Sequence, residues 1–120
     1  MPRVLVVEDD LPIASIITYE LEAEGYEVVV ARNGLEALDS VGRARPDAIV
    51  LDLMMPVVSG WDFIEQYRAR VDGQVIPIVV VSAAGAVPQS MKALGVRHFL
   101  PKPFDLQVLV ECVADVTGRR

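Results

Sequence analysis

Residues 47–52 read DAIVLD. Four apolar residues, Ala48 to Leu51, run unbroken between two aspartates. A strand with one solvated face alternates apolar and polar side chains, whereas a strand buried on both faces does not. The run therefore predicts a strand covered on both sides. Working outward, the same pattern recurs as VLVV (Val4 to Val7), YEVVVA (Tyr26 to Ala31), IPIVVV (Ile76 to Val81) and HFL (His98 to Leu100). Continuous runs rich in valine and isoleucine indicate a parallel sheet.

Between the runs lie segments with helical spacing. The first carries Ile13, Ile16, Ile17 and Leu21, with Asp10 as N-cap, Pro12 in the first turn and Gly25 as the stop. The second begins at Asn33, with Glu36 three residues on in a near capping box, and carries Leu35, Leu38 and Val41. The third begins at Ser59, with Asp62 at its third position, and carries Phe63, Ile64 and Tyr67. A weaker fourth segment spans Val87 to Leu94, and a fifth begins near Asp105 with Leu106, Leu109, Val110 and Val113. Five strands alternating with five helices predict a doubly wound α/β fold, with right-handed crossovers placing helices on both faces.

Composition agrees and narrows the function. The chain has 120 residues, 52% of them hydrophobic and 23% charged, which is one globular domain. The net charge of -6 opposes non-specific binding to nucleic acid and suits a cation or a basic protein surface. One cysteine, Cys112, excludes an intramolecular disulfide. No apolar run approaches the ~18 residues of a membrane helix, and no segment resembles a signal peptide. The expectation is a soluble, cytoplasmic protein with no membrane insertion.

Ligands of doubly wound folds bind at the carboxyl ends of the strands. The first strand ends in Glu8, Asp9 and Asp10, the third in Asp52 and the fourth in Ser82, while Lys102 follows the fifth. If the first and third strands are neighbours, their carboxylates converge, and like charges that close disfavour one another's ionisation. A divalent cation with hard oxygen ligands, Mg²⁺, removes the conflict. Glu8 and Asp9 then hold the metal, directly or through water, and Asp52 supplies an oxygen. Lys102 and the metal neutralise a phosphoryl group, and Asp52 attacks phosphorus as nucleophile. Asp10 reads better as a helix cap than as a ligand.

These residues carry a resemblance. VLVVEDD (Val4 to Asp10), DAIVLDLMMPVVSG (Asp47 to Gly60), VVVSA (Val79 to Ala83) and FLPKPF (Phe99 to Phe104) resemble, in order and on matching elements, the receiver domain of bacterial two-component response regulators. The resemblance implies a (βα)5 flavodoxin-like sheet of strand order 2-1-3-4-5. It implies Asp52 as phosphoacceptor, with Glu8, Asp9, Asp52 and the backbone carbonyl of Met54 around Mg²⁺, Mn²⁺ being an alternative. Ser82 and Lys102 would bind the phosphoryl group, Ser82 and Phe99 would act as the switch, and the Lys102–Pro103 bond would be cis. The implied donor is a sensor histidine kinase or a histidine phosphotransfer protein. The output would be changed affinity for a downstream protein target, with no direct contact to nucleic acid. Such a domain is a regulatory phosphoacceptor rather than an enzyme. The chain ends at TGRR after the fifth helical segment, so residues 1–120 are expected to form one receiver domain with no output domain.

Two departures from the family pattern stand out. Ser82 and Lys102 are 20 residues apart, closer than is usual, so the fourth helix is expected to be short or irregular. Met54 and Ala84 are apolar where many relatives carry polar side chains that guide the hydrolytic water, so a long-lived phosphoryl form is expected. Three rival readings fit less well. An aspartate-nucleophile phosphatase needs a general acid two residues after the nucleophile, and Met54 stands there. A flavodoxin needs a phosphate loop after the first strand, and EDDLP would repel phosphate. A phosphorylation-independent interaction module would have a broken acidic site, and this site is intact. Away from the site, His98 reads as structural, and Val108 and Cys112, an i,i+4 apolar pair on the last helix, read as core in preference to a face for the downstream partner.

Overall fold

In the computed structural model, residues 2–54, 59–70, 75–83 and 95–118 are described. Their elements are β1 (Arg3–Val7), α1 (Leu11–Ala23), β2 (Glu27–Ala31), α2 (Gly34–Arg43), β3 (Ala48–Leu51), α3 (Gly60–Arg70), β4 (Ile78–Ser82), β5 (Val96–Pro101) and α4 (Leu106–Thr117). The strands form one parallel sheet in the order β2-β1-β3-β4-β5. The expected fourth helical segment, Val87 to Leu94, lies outside the described residues, as does Ala84.

Alternate residues along each strand serve opposite faces. Leu5, Val7, Ile49, Leu51, Ile78 and Val80 pack with Ala37, Leu38, Phe63, Ile64 and Tyr67 of α2 and α3. Val4, Val6, Val50, Val79 and Val81 pack with Ile17 and Leu21 of α1 and with Leu109 and Val113 of α4. Both faces are covered, which is why the strand sequences are continuously apolar. At roughly 25 cal/mol per Å² of apolar surface, each fully buried valine, leucine, isoleucine or phenylalanine side chain among them contributes about 1.5–3 kcal/mol.

The helix ends follow from local chemistry. The Asp10 carboxylate accepts from the Ile13 N–H at 3.2 Å, and Pro12 sits in the first turn of α1. Gly25 leaves that helix with a φ of 93°, a conformation glycine adopts without steric cost. Asn33 accepts from the Glu36 N–H at 2.9 Å, but the Glu36 carboxylate reaches the Arg32 N–H rather than that of Asn33. Ser59 accepts from the Asp62 N–H at 3.2 Å and donates to its carboxylate at 3.1 Å. Asp105 caps α4 through the Gln107 N–H at 2.8 Å.

Some sequence expectations need correction. Ile16 and Leu35 are 50% and 58% exposed rather than core. At about 100° per residue, each lies roughly a quarter turn or more from the line of buried residues on its helix. Tyr26, Ile76 and Pro77 precede their strands, although Tyr26 and Ile76 are buried. Val108 is 40% exposed, whereas Cys112 packs against the core as expected. His98 pairs with Asp115 of α4 at 3.0 Å, a structural tie between strand and helix.

Candidate functional site

Glu8 and Asp52 stand one residue beyond the paired Val7 and Leu51, so their backbones leave the sheet side by side. The Glu8 N–H donates to Ala31 O and the Asp52 N–H to Val7 O, each at 3.0 Å, which carries the parallel ladder into the site. The sheet order reverses here, since β1 continues to β2 on one side while β3 lies on the other. Glu8, Asp52 and Ser82 are the buried polar residues of the described chain. Asp9 is exposed beside them.

Lys102 follows β5 and is held by its own N–H on Ser82 O at 3.1 Å. Its Nζ donates to Glu8 Oε1 and to Asp52 Oδ2, both at 3.2 Å. Glu8 Oε2 lies 3.0 Å from the same nitrogen, outside hydrogen-bond geometry, and has no other partner among the described residues. Asp52 Oδ1 accepts from the Met54 N–H at 3.0 Å, and Glu8 Oε1 also accepts from the Asp10 N–H at 3.2 Å. The Lys102–Pro103 peptide is cis.

The electrostatics follow from burial. Desolvation raises the Glu8 carboxyl from 4.5 to about 7, with the Asp52 charge pushing the same way. The hydrogen bonds from Lys102 and from the Asp10 N–H oppose the rise without cancelling it. Burial alone would lower Lys102, but the hydrogen bond and charge of Glu8, and then those of Asp52, hold its ammonium above the ordinary value.

Glu8, Asp9 and Asp52 each offer one oxygen within 4.8 Å of the others. Three hard carboxylate oxygens at that spacing fit a divalent cation such as Mg²⁺, and Glu8 also carries a buried oxygen, Oε2, without a hydrogen bond among the described residues. Ser82 is fully buried at the end of β4. Phe99 is partly buried and packs against the cluster beneath α2 and α3. Met54 is 62% exposed.

The sequence reading gave no role to Gly60. A Cβ there would lie 2.5 Å from Asp52 O and 2.6 Å from Leu53 Cα. The start of α3 therefore rests directly on the backbone that carries Asp52, and the Gly60 N–H donates to Leu53 O at 3.1 Å. A glycine at a helix start eight residues past a site carboxylate was the available signal.

Comparison with known proteins agrees with this site. The family profile described as "Response regulator receiver domain" matches residues 4–114. The chain belongs to that family. The response regulators MprA of Mycobacterium leprae (strain TN) and Mycobacterium avium (strain 104) are each 40% identical over 110 residues, covering 90% of this chain and 47% of theirs. The chain thus spans about half the length of the curated relatives it matches. Among solved structures, the chemotaxis response regulator CheY4 of Vibrio cholerae superposes with a TM-score of 0.87 at 33% identity, covering 97% of this chain and 98% of that one. TrrA of Thermotoga maritima, solved in complex with Mg(2+)-BeF, gives 0.83 at 29% identity, with 97% and 99% covered. The fold is the CheY-like flavodoxin fold. Receiver domains are regulatory phosphoacceptor domains of two-component phosphorelay signalling that bind Mg²⁺, and the pocket of Glu8, Asp9 and Asp52 fits a phosphoacceptor site. Among the described residues no helix is long and apolar enough to cross a membrane.

Proposed function

We propose that Asp52 accepts a phosphoryl group from a phosphohistidine of a sensor histidine kinase or histidine phosphotransfer protein. The observation that carries this reading is the buried Asp52 carboxylate, which shares one lysine with Glu8 at the sheet's switch point. Asp52 Oδ2 attacks phosphorus as the P–N bond to the imidazole breaks, giving an acyl phosphate and a free histidine. Met54 N–H on Oδ1 fixes the carboxylate plane, so that one oxygen is presented. Mg²⁺, with Mn²⁺ as a substitute, would be held by Glu8, Asp9, Asp52 and the Met54 carbonyl, and supplies charge neutralisation for the phosphoryl oxygens. Lys102 supplies the other positive charge.

Phosphorylation adds about −1.5 to −2 charge at this strand end. Ser82 closes on the phosphoryl oxygens and Phe99 turns into the space beside it, biasing two packings of the sheet edge. The readout is altered affinity for a downstream protein target rather than chemistry on a second substrate. The test is incubation with acetyl phosphate and Mg²⁺, followed by intact-mass analysis. The wild type gains one hydroxylamine-labile phosphoryl group and Asp52→Asn gains none. Equal labelling of the variant would refute the assignment.

A further inference from the structure

The outer edge of the sheet carries features that the phosphoryl site does not use. β2 ends the strand order and pairs with β1 alone among the described strands. In a parallel pair each residue turns its N–H and C=O to the same side, and successive residues alternate. The Glu27 N–H donates to Pro2 O, and Ala31 O accepts from the Glu8 N–H, so Glu27, Val29 and Ala31 face β1. The backbone groups of Val28 and Val30 therefore point outward along the open edge. Their side chains share the sheet face that packs on α1, since Val28 joins the cluster of Ile17 and Leu21.

A groove of about 400 Å³ runs beside this edge. Leu11, Ser15, Tyr19 and Glu22 line it from α1, at steps of four, four and three, and Val30 lines it from β2. Leu11 and Val30 are exposed, and Tyr19 is 73% exposed. An aromatic side chain left that open is the kind of residue that anchors a partner. Toward the carboxyl end of α1 the surroundings turn acidic. Residues 9–27 hold the carboxylates of Asp9, Asp10, Glu20, Glu22, Glu24 and Glu27 and no lysine, arginine or histidine. The last turn of α1 has no basic residue, although a helix C-terminus carries partial negative charge and prefers a cation.

We propose that this edge is a second docking surface, which takes an extended segment of another protein, apolar where it lies over the groove and basic at its ends. The segment adds to β2 as a strand. Its backbone pairs with Val28 and Val30, its apolar side chains cover Leu11, Tyr19 and Val30, and its cations meet Glu22 and the carboxyl end of α1. A second copy of this chain is the poorer occupant. It would set the same carboxylates, and a net charge of -6 on each copy, against one another.

The probe is a short synthetic peptide of alternating valine and threonine flanked by lysines at both ends, titrated against the full chain by fluorescence anisotropy. It should bind, whereas its backbone-N-methylated form, which cannot donate to the edge, and a form with glutamates for the lysines should not. Hydrogen exchange of the Val28 and Val30 amides should slow several-fold in the complex. Tyr19→Ala and Glu22→Lys, both at exposed positions away from the phosphoryl site, should keep the wild-type circular dichroism spectrum and weaken binding at least about fivefold. No binding by the peptide, wild-type affinity in either variant, or unchanged exchange at Val28 and Val30 would overturn the inference. Equal binding of the N-methylated form would overturn strand addition. A wild-type dimer in sedimentation that Tyr19→Ala dissolves would give the edge to a second copy and overturn the inference as well.

Discussion

Met54 places an apolar, 62% exposed side chain two residues past Asp52, tied to it through the backbone. An apolar side chain there cannot orient a water for attack on an acyl phosphate. The phosphoryl form of wild type is therefore expected to persist well beyond seconds in Mg²⁺, and Met54→Asn to shorten it several-fold. Decay of the acyl phosphate in purified protein measures both; loss within seconds, or an unchanged rate in Met54→Asn, would refute the expectation. A second single-residue effect lies far from the site. Tyr67 is buried, and its hydroxyl accepts from the Ile76 N–H at 2.6 Å, satisfying a backbone donor just ahead of β4. Tyr67→Phe leaves that buried donor unpaired, which costs about 1–3 kcal/mol. Urea denaturation should show a lower midpoint with an unchanged slope. At this scale the site carboxylates were legible, because each ends an apolar run with an unexpected charge. The Glu8–Lys102 pair was not, because its partners are 94 residues apart and only the closed sheet brings them together.

The junction between β3 and α3 shows how one element positions another. Gly60 starts α3 with its Cα against the backbone of Asp52 and Leu53, and a methyl group there would meet main-chain atoms that cannot rotate away. Gly60→Ala is expected to destabilise the fold by about 1–3 kcal/mol, as overpacking against fixed neighbours does. It should also slow acetyl phosphate labelling of Asp52 by more than the lost stability explains, because the shift falls on the backbone that carries Asp52. Thermal denaturation and labelling kinetics on the same samples separate the two effects; normal labelling in a folded variant would contradict this account. Elements themselves were readable where local chemistry decides them. Asp10, Asn33, Ser59 and Asp105 start their helices because their side chains cap free N–H groups. Burial of particular residues was less readable. Ile16 and Leu35 are as apolar as their buried neighbours, and only the direction of the helix axis on the sheet decides that they face outward.

At the scale of the whole molecule, the site trades stability for function. Glu8 is buried with its carboxyl raised to about 7, against 4.5 in an unfolded chain. Between those values the folded chain holds a proton that the unfolded chain has released. Unfolding is therefore increasingly favoured as pH rises through this window, and the group's stabilising contribution is present below about 4.5 and lost by about 7. Because a domain is only marginally stable, such a cost bears on the whole fold. Glu8→Gln keeps a neutral, similarly shaped side chain at every pH and isolates the effect. In a chelating buffer, wild type and Glu8→Gln should have similar unfolding free energies near pH 4.5, and wild type should become the less stable by pH 8. Adding Mg²⁺ at pH 8 should reverse that order. A cation that binds only the folded chain stabilises it in proportion to the logarithm of its concentration over its dissociation constant, and Glu8→Gln removes one of the three carboxylates of the candidate cation site. Urea melts at several pH values, with and without MgCl2, measure all four corners. Parallel pH curves for the two proteins in chelator would show that Glu8 carries no such shift. A stabilisation by Mg²⁺ equal in both would show that its carboxylate is no ligand. The arrangement explains why a fold with two well-packed apolar faces keeps an expensive carboxylate at its centre: the same burial that destabilises Glu8 alone sharpens its preference for a cation at the strand ends.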